Sequence, residues 1–248
     1  MDRLRDKVAL VTGAALGMGA SHARAIAAEG GRVVVGDVLE AEGRAVVEEL
    51  GDAARFVRLD VRRNEDWVEA IHLAEKEFGK LNVLVNNAAV LNLTRVTETT
   101  DEEWHRVMSI NVDGVFKGMR ACAPAIRRAG GGSIINISST AGMKGFISNF
   151  AYGTSKWAVR GMTKHGAMDL FDAGIRVNSI HPGNVQTRMM GDEPLPFEHV
   201  PMKRPAHPSE ISGLVVFLAS DESSFSTGAE FIADGGELTG IATLMREH

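Results

Sequence analysis

The chain has 248 residues, 44% of them hydrophobic and 24% charged, with a net charge of −5. This balance suits a globular protein with a substantial core, and the absence of a long Lys/Arg cluster argues against nucleic acid or an anionic membrane as partner. Cys122 is the only cysteine, so no intramolecular disulfide can form, and a reducing, cytoplasmic setting is expected. The simplest role for Cys122 is a packed helix residue. The opening MDRLRDKVALVTG is too short in apolar residues for a signal sequence, and no later stretch approaches a membrane span. No linker divides the chain, so residues 1–248 are expected to form one domain.

Taken in order, Lys7 to Thr12 reads as a buried strand, followed by a glycine turn and a helix to about Glu29. Arg32 to Gly36 is a second strand ending in Asp37, and Leu39 to Leu50 has helical periodicity closed by Gly51. A third strand from Arg55 to Leu59 leads to a helix from Asp66 to Phe78, and a fourth from Leu81 to Val85 runs into Asn86-Asn87-Ala88-Ala89. Asp101 begins one long helix whose apolar side carries Trp104, Val107, Met108, Val112, Val115, Phe116 and Met119, ending before Gly130. Ser133 to Ile137 is a central strand, and Tyr152 opens the next helix. Then come a strand from Ile175 to Ile180, a loop from His181 to about His207, a helix from Ser209 to Ala219 and a last strand from Ala229 to Ala233. Seven strands alternating with six helices predict a doubly wound parallel sheet of Rossmann type, with helices on both faces.

Gly13, Gly17 and Gly19 fall where the first strand turns into its helix. Glycine there lets the chain turn tightly and lets backbone N–H groups approach a pyrophosphate, although packing alone also uses glycine. Asp37 at the end of the second strand can accept from both hydroxyls of an adenosine ribose. It would repel a 2′-phosphate, and no Arg or Lys lies between Gly13 and Gly19, so NAD is expected rather than NADP. Tyr152 is the only tyrosine, and Lys156 follows it by four residues, on the same helix face. A cation beside a phenol favours phenolate, which would lower the Tyr152 pKa and prepare it for proton transfer. A Tyr and a Lys at this spacing also suit an ordinary amphipathic surface pair.

Ser139 lies thirteen residues before Tyr152. The combination of T-G-x-x-x-G-x-G, a serine after a buried strand and Y-x-x-x-K resembles the short-chain dehydrogenase/reductase family over nearly the whole chain. The resemblance implies hydride transfer between a nicotinamide and a secondary alcohol or ketone. Tyr152 would be acid or base, Ser139 would bond the substrate oxygen, and Lys156 would bind the nicotinamide ribose. Asn111 matches the position whose main-chain carbonyl steadies a water near that lysine; an Asn merely tolerated in a helix is the other reading. By the same resemblance Asp60 and Val61 hold adenine, Asn87 and Ala88 line the ribose, and Leu16 and Met18 add turn contacts. Val185 and Thr187, in Pro182-Gly-Asn-Val185-Gln-Thr187, meet the nicotinamide amide. The family's N-N-A-G ends here in Ala89, adding a methyl to a tight turn.

The stretches GDAARFVRLDV, GGGSIINISS, AYGTSKWAVRG and IRVNSIHPG are similar to the hydroxysteroid-oxidising branch of the family, implying a hydroxysteroid or ketosteroid substrate of the 3α,20β type. A 3-oxoacyl-thioester reductase, a cyclic-alcohol dehydrogenase and a non-catalytic NAD-binding sensor are the alternatives. Met143, Phe146, Ile147 and Phe150, with Leu91 and Leu93, face a loop over residues 188–207 carrying Met189, Met190, Leu195, Phe197, Val200 and Met202, and they predict an apolar substrate pocket or a subunit contact. The family's habit of pairing the Asp101 and Tyr152 helices across a dimer axis implies a homotetramer. The eight histidines include no H-E-x-x-H, so no metal is expected, and none of His181, His199 and His207 is given a role.

Overall fold

Apolar runs without alternation form strands covered on both faces, as parallel sheets require. In the computed structural model, which describes residues 2–191 and 197–240, these are β1 (Val8–Thr12), β2 (Arg32–Asp37), β3 (Ala54–Arg58), β4 (Val83–Asn86), β5 (Gly132–Ile137), β6 (Ile175–Pro182) and β7 (Glu230–Ala233). All pairings are parallel and the order is β3-β2-β1-β4-β5-β6-β7. The chain winds outward from β1 to β3, then returns to place β4 on the other side of β1. A crevice therefore opens beyond the carboxyl ends of β1 and β4, where ligands of open α/β sheets bind.

The helices are α1 (Gly17–Ala28), α2 (Glu40–Leu50), α3 (Asn64–Phe78), α4 (Asp101–Asn111), α5 (Asp113–Arg128), α6 (Phe150–Leu170) and α7 (Pro208–Ala219). Strand residues alternate between two cores. Ala9, Val11, Val33, Val35, Val85 and Ile135 pack with α1, α2 and α7, whereas Val8, Leu10, Val34, Leu84 and Ile134 pack with α3, α5 and α6. The doubly wound Rossmann-type sheet expected from the sequence is thus the observed fold. Cys122 is fully buried on α5 within the second core, and burial pushes its thiol pKa up. No helix among the described residues is long and apolar enough to cross a membrane.

Three local expectations need correction. The single long helix is two, broken at Val112 (φ −110°, ψ −60°), which makes seven helices among the described residues. The apolar stripe continues across the break because both halves bury a face, so periodicity does not register it. Tyr152 lies in the first turn of α6, which starts at Phe150. His181 belongs to β6 and is fully buried, not part of a loop.

Polar groups also fix the packing. His22 is buried between α1 and α7, where its Nδ1 lies 2.9 Å from the Ser212 hydroxyl. Its Nε2 has no hydrogen-bond partner among the described residues, and burial pushes its pKa down to about 3. Asn136 on β5 accepts from the Asn86 amide at 2.9 Å and donates to the Thr163 hydroxyl at 3.0 Å. It thereby joins two central strands to α6. Asn136→Ala should strand these buried groups and cost about 1–3 kcal/mol of stability. Urea unfolding followed by tryptophan fluorescence measures this, and an unchanged midpoint would show that the three-way link contributes nothing.

Candidate active site

A cleft of about 540 Å³ follows the switch point from the glycine turn past Asp37, Asp60, Val61, Asn87 and Ala88 to Tyr152, Lys156 and Thr187. Gly13 and Gly17 have φ of +63° and +55°, and a Cβ on Gly19 would lie 2.1 Å from the Gly13 carbonyl oxygen. The turn is therefore closed to larger residues at all three positions. It delivers the chain to the N-terminus of α1, whose first N–H groups face outward as an anion site. Leu16 and Met18 line the same cleft. The Asn87 amide donates to the carbonyls of Thr12 and Gly13 at 2.9 and 3.1 Å, while its Oδ1 is buried without a partner among the described residues. A glycine cradle and an orphaned acceptor in one crevice fit a dinucleotide.

Asp37 is 8% exposed. Its carboxylate accepts from the backbone N–H groups of Ala15 and Leu39 at 2.9 and 3.0 Å. Asp60 is clamped by Arg62, with Nε–Oδ1 and Nη2–Oδ2 at 2.9 and 2.6 Å, and this hydrogen bonding holds the Asp60 carboxyl below its ordinary range. Arg62 also lines the cleft, and sequence reading passed it over. Ala89 raises no backbone difficulty: Asp6, Ser148 and Lys203 are the described non-glycine residues with positive φ, and Ala89 is not among them.

Tyr152 and Ser138 are shared with a second cavity of about 500 Å³ lined by Ser139, Leu91, Leu93, Phe146, Met189 and Met190. The two adjacent serines differ in their bonding. Ser138 donates its hydroxyl to the Lys156 carbonyl at 3.0 Å, tying β5 to α6. Ser139 accepts the Ala141 N–H at 3.1 Å, which leaves its own proton to offer. His181 reaches the Ser139 carbonyl through Nδ1 at 3.2 Å and the Ser179 hydroxyl through Nε2 at 2.8 Å. A carbonyl can only accept, so Nδ1 carries the proton, and burial holds the ring below its ordinary pKa. Arg160 donates to the Gly142 carbonyl at 2.9 Å. Both ends of the Ser139 turn are therefore held. The sequence signal for His181, a polar residue one place before Pro-Gly in an apolar strand, was available.

Lys156 is 3% exposed. Its Nζ donates to the Ile137 carbonyl at 2.9 Å and lies 5.4 Å from the Tyr152 ring centre. The Asn111 side chain exchanges bonds with the Val90 backbone at 2.8 and 2.9 Å and donates to Ser155 at 3.1 Å. Ser155 in turn donates to the Tyr152 carbonyl at 2.6 Å. Asn111 thus clamps the loop after β4 to the first turns of α6, directly before the break at Val112. Val185 is placed by a parallel bridge to Ala206, and Thr187 packs beside Gly17, 3.3 Å from where a Cβ would stand.

Burial opposes the effect expected of the neighbouring lysine on Tyr152. Burial pushes the phenol pKa up, opposed by the Ser139 hydroxyl, and burial also pushes Lys156 down to about 8. The desolvation that raises the acid weakens the cation meant to lower it. The apolar lining is likewise partly revised. Val200 and Met202 pack against Gly235, and Phe150 stacks on Trp104 with centroids 5.7 Å apart. Ile147 is 79% exposed. Met143, Phe197 and Val200 are not in the cavity wall either, and Leu195 lies outside the described residues. Glu237, which sequence reading missed, is in that wall. No cluster of metal-ligating residues occurs among the described residues.

A dinucleotide crevice that opens, at a tyrosine and a lysine one helical turn apart, into an apolar chamber defines an oxidoreductase of the short-chain type. The chain belongs to the short-chain dehydrogenase/reductase family: the family profile described as enoyl-(acyl carrier protein) reductase matches residues 13–237. It is 52% identical to a 3-alpha-(or 20-beta)-hydroxysteroid dehydrogenase of Mycobacterium tuberculosis over 97% of this chain and 92% of that protein. It is 50% identical to a trans-4-hydroxycyclohexanecarboxylate dehydrogenase of Sinomonas cyclohexanicum, covering 96% and 95% of the two chains. A cyclopentanol dehydrogenase of Comamonas testosteroni is 43% identical, covering 95% and 98%. The protein is an oxidoreductase acting on CH–OH groups, of a family that binds nicotinamide cofactors.

Because Tyr152 is the only tyrosine, a tyrosinate difference spectrum reports this phenol alone. In ligand-free protein it should appear above the ordinary value of ~10, since burial disfavours the anion. A transition at or below that value would show that burial does not govern this site.

Proposed function

We propose that residues 1–248 form one NAD-dependent catalytic domain that interconverts a hydroxysteroid of the 3α,20β type and its ketone. The observation that carries the reading is that Tyr152 faces both the dinucleotide crevice and an apolar chamber large enough for a fused-ring ligand. When bound, nicotinamide supplies the hydride acceptor or donor. Tyr152 takes the carbinol proton in oxidation and returns it in reduction. The Ser139 hydroxyl donates to the substrate oxygen and stabilises charge developing there. Lys156, held by the Ile137 carbonyl, keeps two further N–H groups for the ribose and biases Tyr152. The main-chain carbonyl of Asn111, at the helix break, holds a water behind this lysine.

Asp37 favours NAD because both backbone bonds hold its carboxylate toward the ribose end. Arg62, the nearby cation, is engaged by Asp60 and is not available for a 2′-phosphate. Asp60 and Val61 flank adenine, Asn87 and Ala88 the ribose, Leu16 and Met18 the turn, and Val185 and Thr187 the carboxamide. The loop 188–207, of which residues 192–196 lie outside the described residues, is assigned the role of covering the substrate. A compact cyclic alcohol is the second reading, favoured by the names of two relatives. NADH formation with steroid and cyclic secondary alcohols tests the assignment. Tyr152→Phe should lower kcat by about 10²- to 10⁴-fold while NAD still binds, and Asp37→Ala should narrow the preference for NAD over NADP. Near-parent turnover in the Phe variant, or faster parent turnover with NADP(H) at matched low concentration, would refute the corresponding part.

We also place the enzyme in the cytoplasm as a homotetramer. The outer faces of α5 and α6 frame an open groove of about 630 Å³ that includes Phe116, Met119, Met162 and Leu170. Phe116, Met168 and Phe171 are 48%, 71% and 70% exposed. A second copy of these helices would cover them, and Phe225 and Ile232, 105% and 47% exposed near the β7 edge, offer a further contact. Light scattering at micromolar concentration should give four times the 26.6 kDa protomer. Phe116→Asp should reduce the particle size. A monomeric parent protein would remove the proposal.

A further inference from the structure

The substrate chamber contains a charge that oxidation of a simple alcohol does not need. Glu237 follows β7 in a turn fixed by Asp234, whose carboxylate accepts the Gly236 and Leu238 N–H groups at 2.8 and 2.7 Å. Its side chain is 2% exposed, and it lines the same chamber as Ser139 and Tyr152. Lys144 Nζ lies 3.3 Å from Oε1 and His199 Nε2 lies 3.7 Å from it. Lys144 forms an ion pair with Oε1, His199 lies beyond hydrogen-bond distance, and no hydrogen bond to Oε1 occurs among the described residues. Lys144 also stacks on the Phe146 ring, which lines the chamber, at 4.8 Å.

A buried carboxylate oxygen without a donor is costly, and so is an unpaired amide oxygen. The chamber wall includes a residue of each kind, the carboxylate being ion-paired with Lys144. Asn149, in the loop before α6, also lines it, and its Oδ1 is buried without a partner among the described residues. Glu237 and Asn149, far apart in sequence, thus line one cavity whose other walls include Leu91, Leu93, Met189 and Met190. A ligand with hydrogen-bond donors at its far side would meet these acceptor side chains, whereas an apolar far side would gain no bond from them and an anionic one would add repulsion.

We infer that Glu237, assisted by Asn149, is a specificity-determining anchor for a second hydroxyl of the substrate, remote from the carbinol that reacts. The preferred substrates are then alicyclic diols or hydroxyketones, discriminated from matched mono-alcohols and from carboxylates. This rests on the reading of Tyr152 and Ser139 as the reacting end of the chamber.

The test uses cyclohexanol with trans-cyclohexane-1,4-diol, and a steroid mono-alcohol with the diol of the same skeleton. Two readouts are taken: kcat/KM with NAD, and calorimetric binding of the same probes to the NADH-loaded protein, which requires no turnover. In parent enzyme the diol of at least one pair should be favoured about 10- to 100-fold, mainly through KM, the range for a hydrogen bond to a charged acceptor. Glu237→Leu should collapse that ratio in both readouts, Glu237→Gln should keep part of it because the amide oxygen still accepts, and Asn149→Ala should reduce it further. If Glu237→Leu does not fold, the Gln and Asn149 variants carry the comparison. A parent ratio near one, or a ratio unchanged by all variants, overturns the anchor and leaves alcohol oxidation standing. A Glu237-dependent diol preference in binding with no turnover of any alcohol supports the anchor and overturns the reading of the reacting end. Absence of both overturns both.

Discussion

The active site depends on one join, the hydroxyl of Ser138 donated to the carbonyl of Lys156. It brings the carboxyl end of β5 and the first turns of α6 so close that a Cβ on Gly142 would stand 2.7 Å from the same carbonyl oxygen. Ser139 is presented by the strand, and Tyr152 and Lys156 by the helix. Their relation is set by this contact and not by either element alone. His181 and Arg160 then fix the intervening turn by its first and last carbonyls. The Ser138, His181 and Arg160 side chains each reach a backbone carbonyl of this join.

Burial governs the chemistry of that assembly. A solvated Tyr–Lys pair would be separated by their ordinary pKa values and little else. Here desolvation moves the phenol up and the lysine down to about 8, so near neutral pH a neutral phenol stands beside an ammonium. The assembly holds the two side by side, the Lys156 Nζ 5.4 Å from the Tyr152 ring centre. Asn111 serves the same end mechanically, since its side chain couples the Val90 loop to Ser155 and through it to the Tyr152 backbone.

The fold was legible because strands flanked by helices on both faces lose their alternation, and because glycines such as Gly13 and Gly17 mark turns that other residues resist. The gathering of Ser139, Tyr152 and Lys156 was legible through motif spacing. What escaped had long-range causes. The break at Val112 leaves apolar periodicity intact. The environment of His181 depends on the neighbouring β5 turn, forty-odd residues away in sequence, so its isolated position suggested a solvated loop. Glu237 acquires its setting only when the β7 turn meets Lys144 and the loop around His199. How deeply the Lys156 cation itself is buried is likewise not encoded in the spacing.

The two interior imidazoles give the scaffold an acid limit. His22 and His181 are both enclosed where a proton is disfavoured, whereas in an unfolded chain each would take one up near ~6.5. Above that value they leave stability untouched. As pH falls below it, the unfolded chain gains protons that the native state refuses, and His22 alone tilts the balance by about 1.4 kcal/mol per pH unit, until its native value of about 3 is reached. The α1–α7 seam and the turn that presents Ser139 are therefore the parts of this architecture most exposed to acidification, though neither histidine touches solvent.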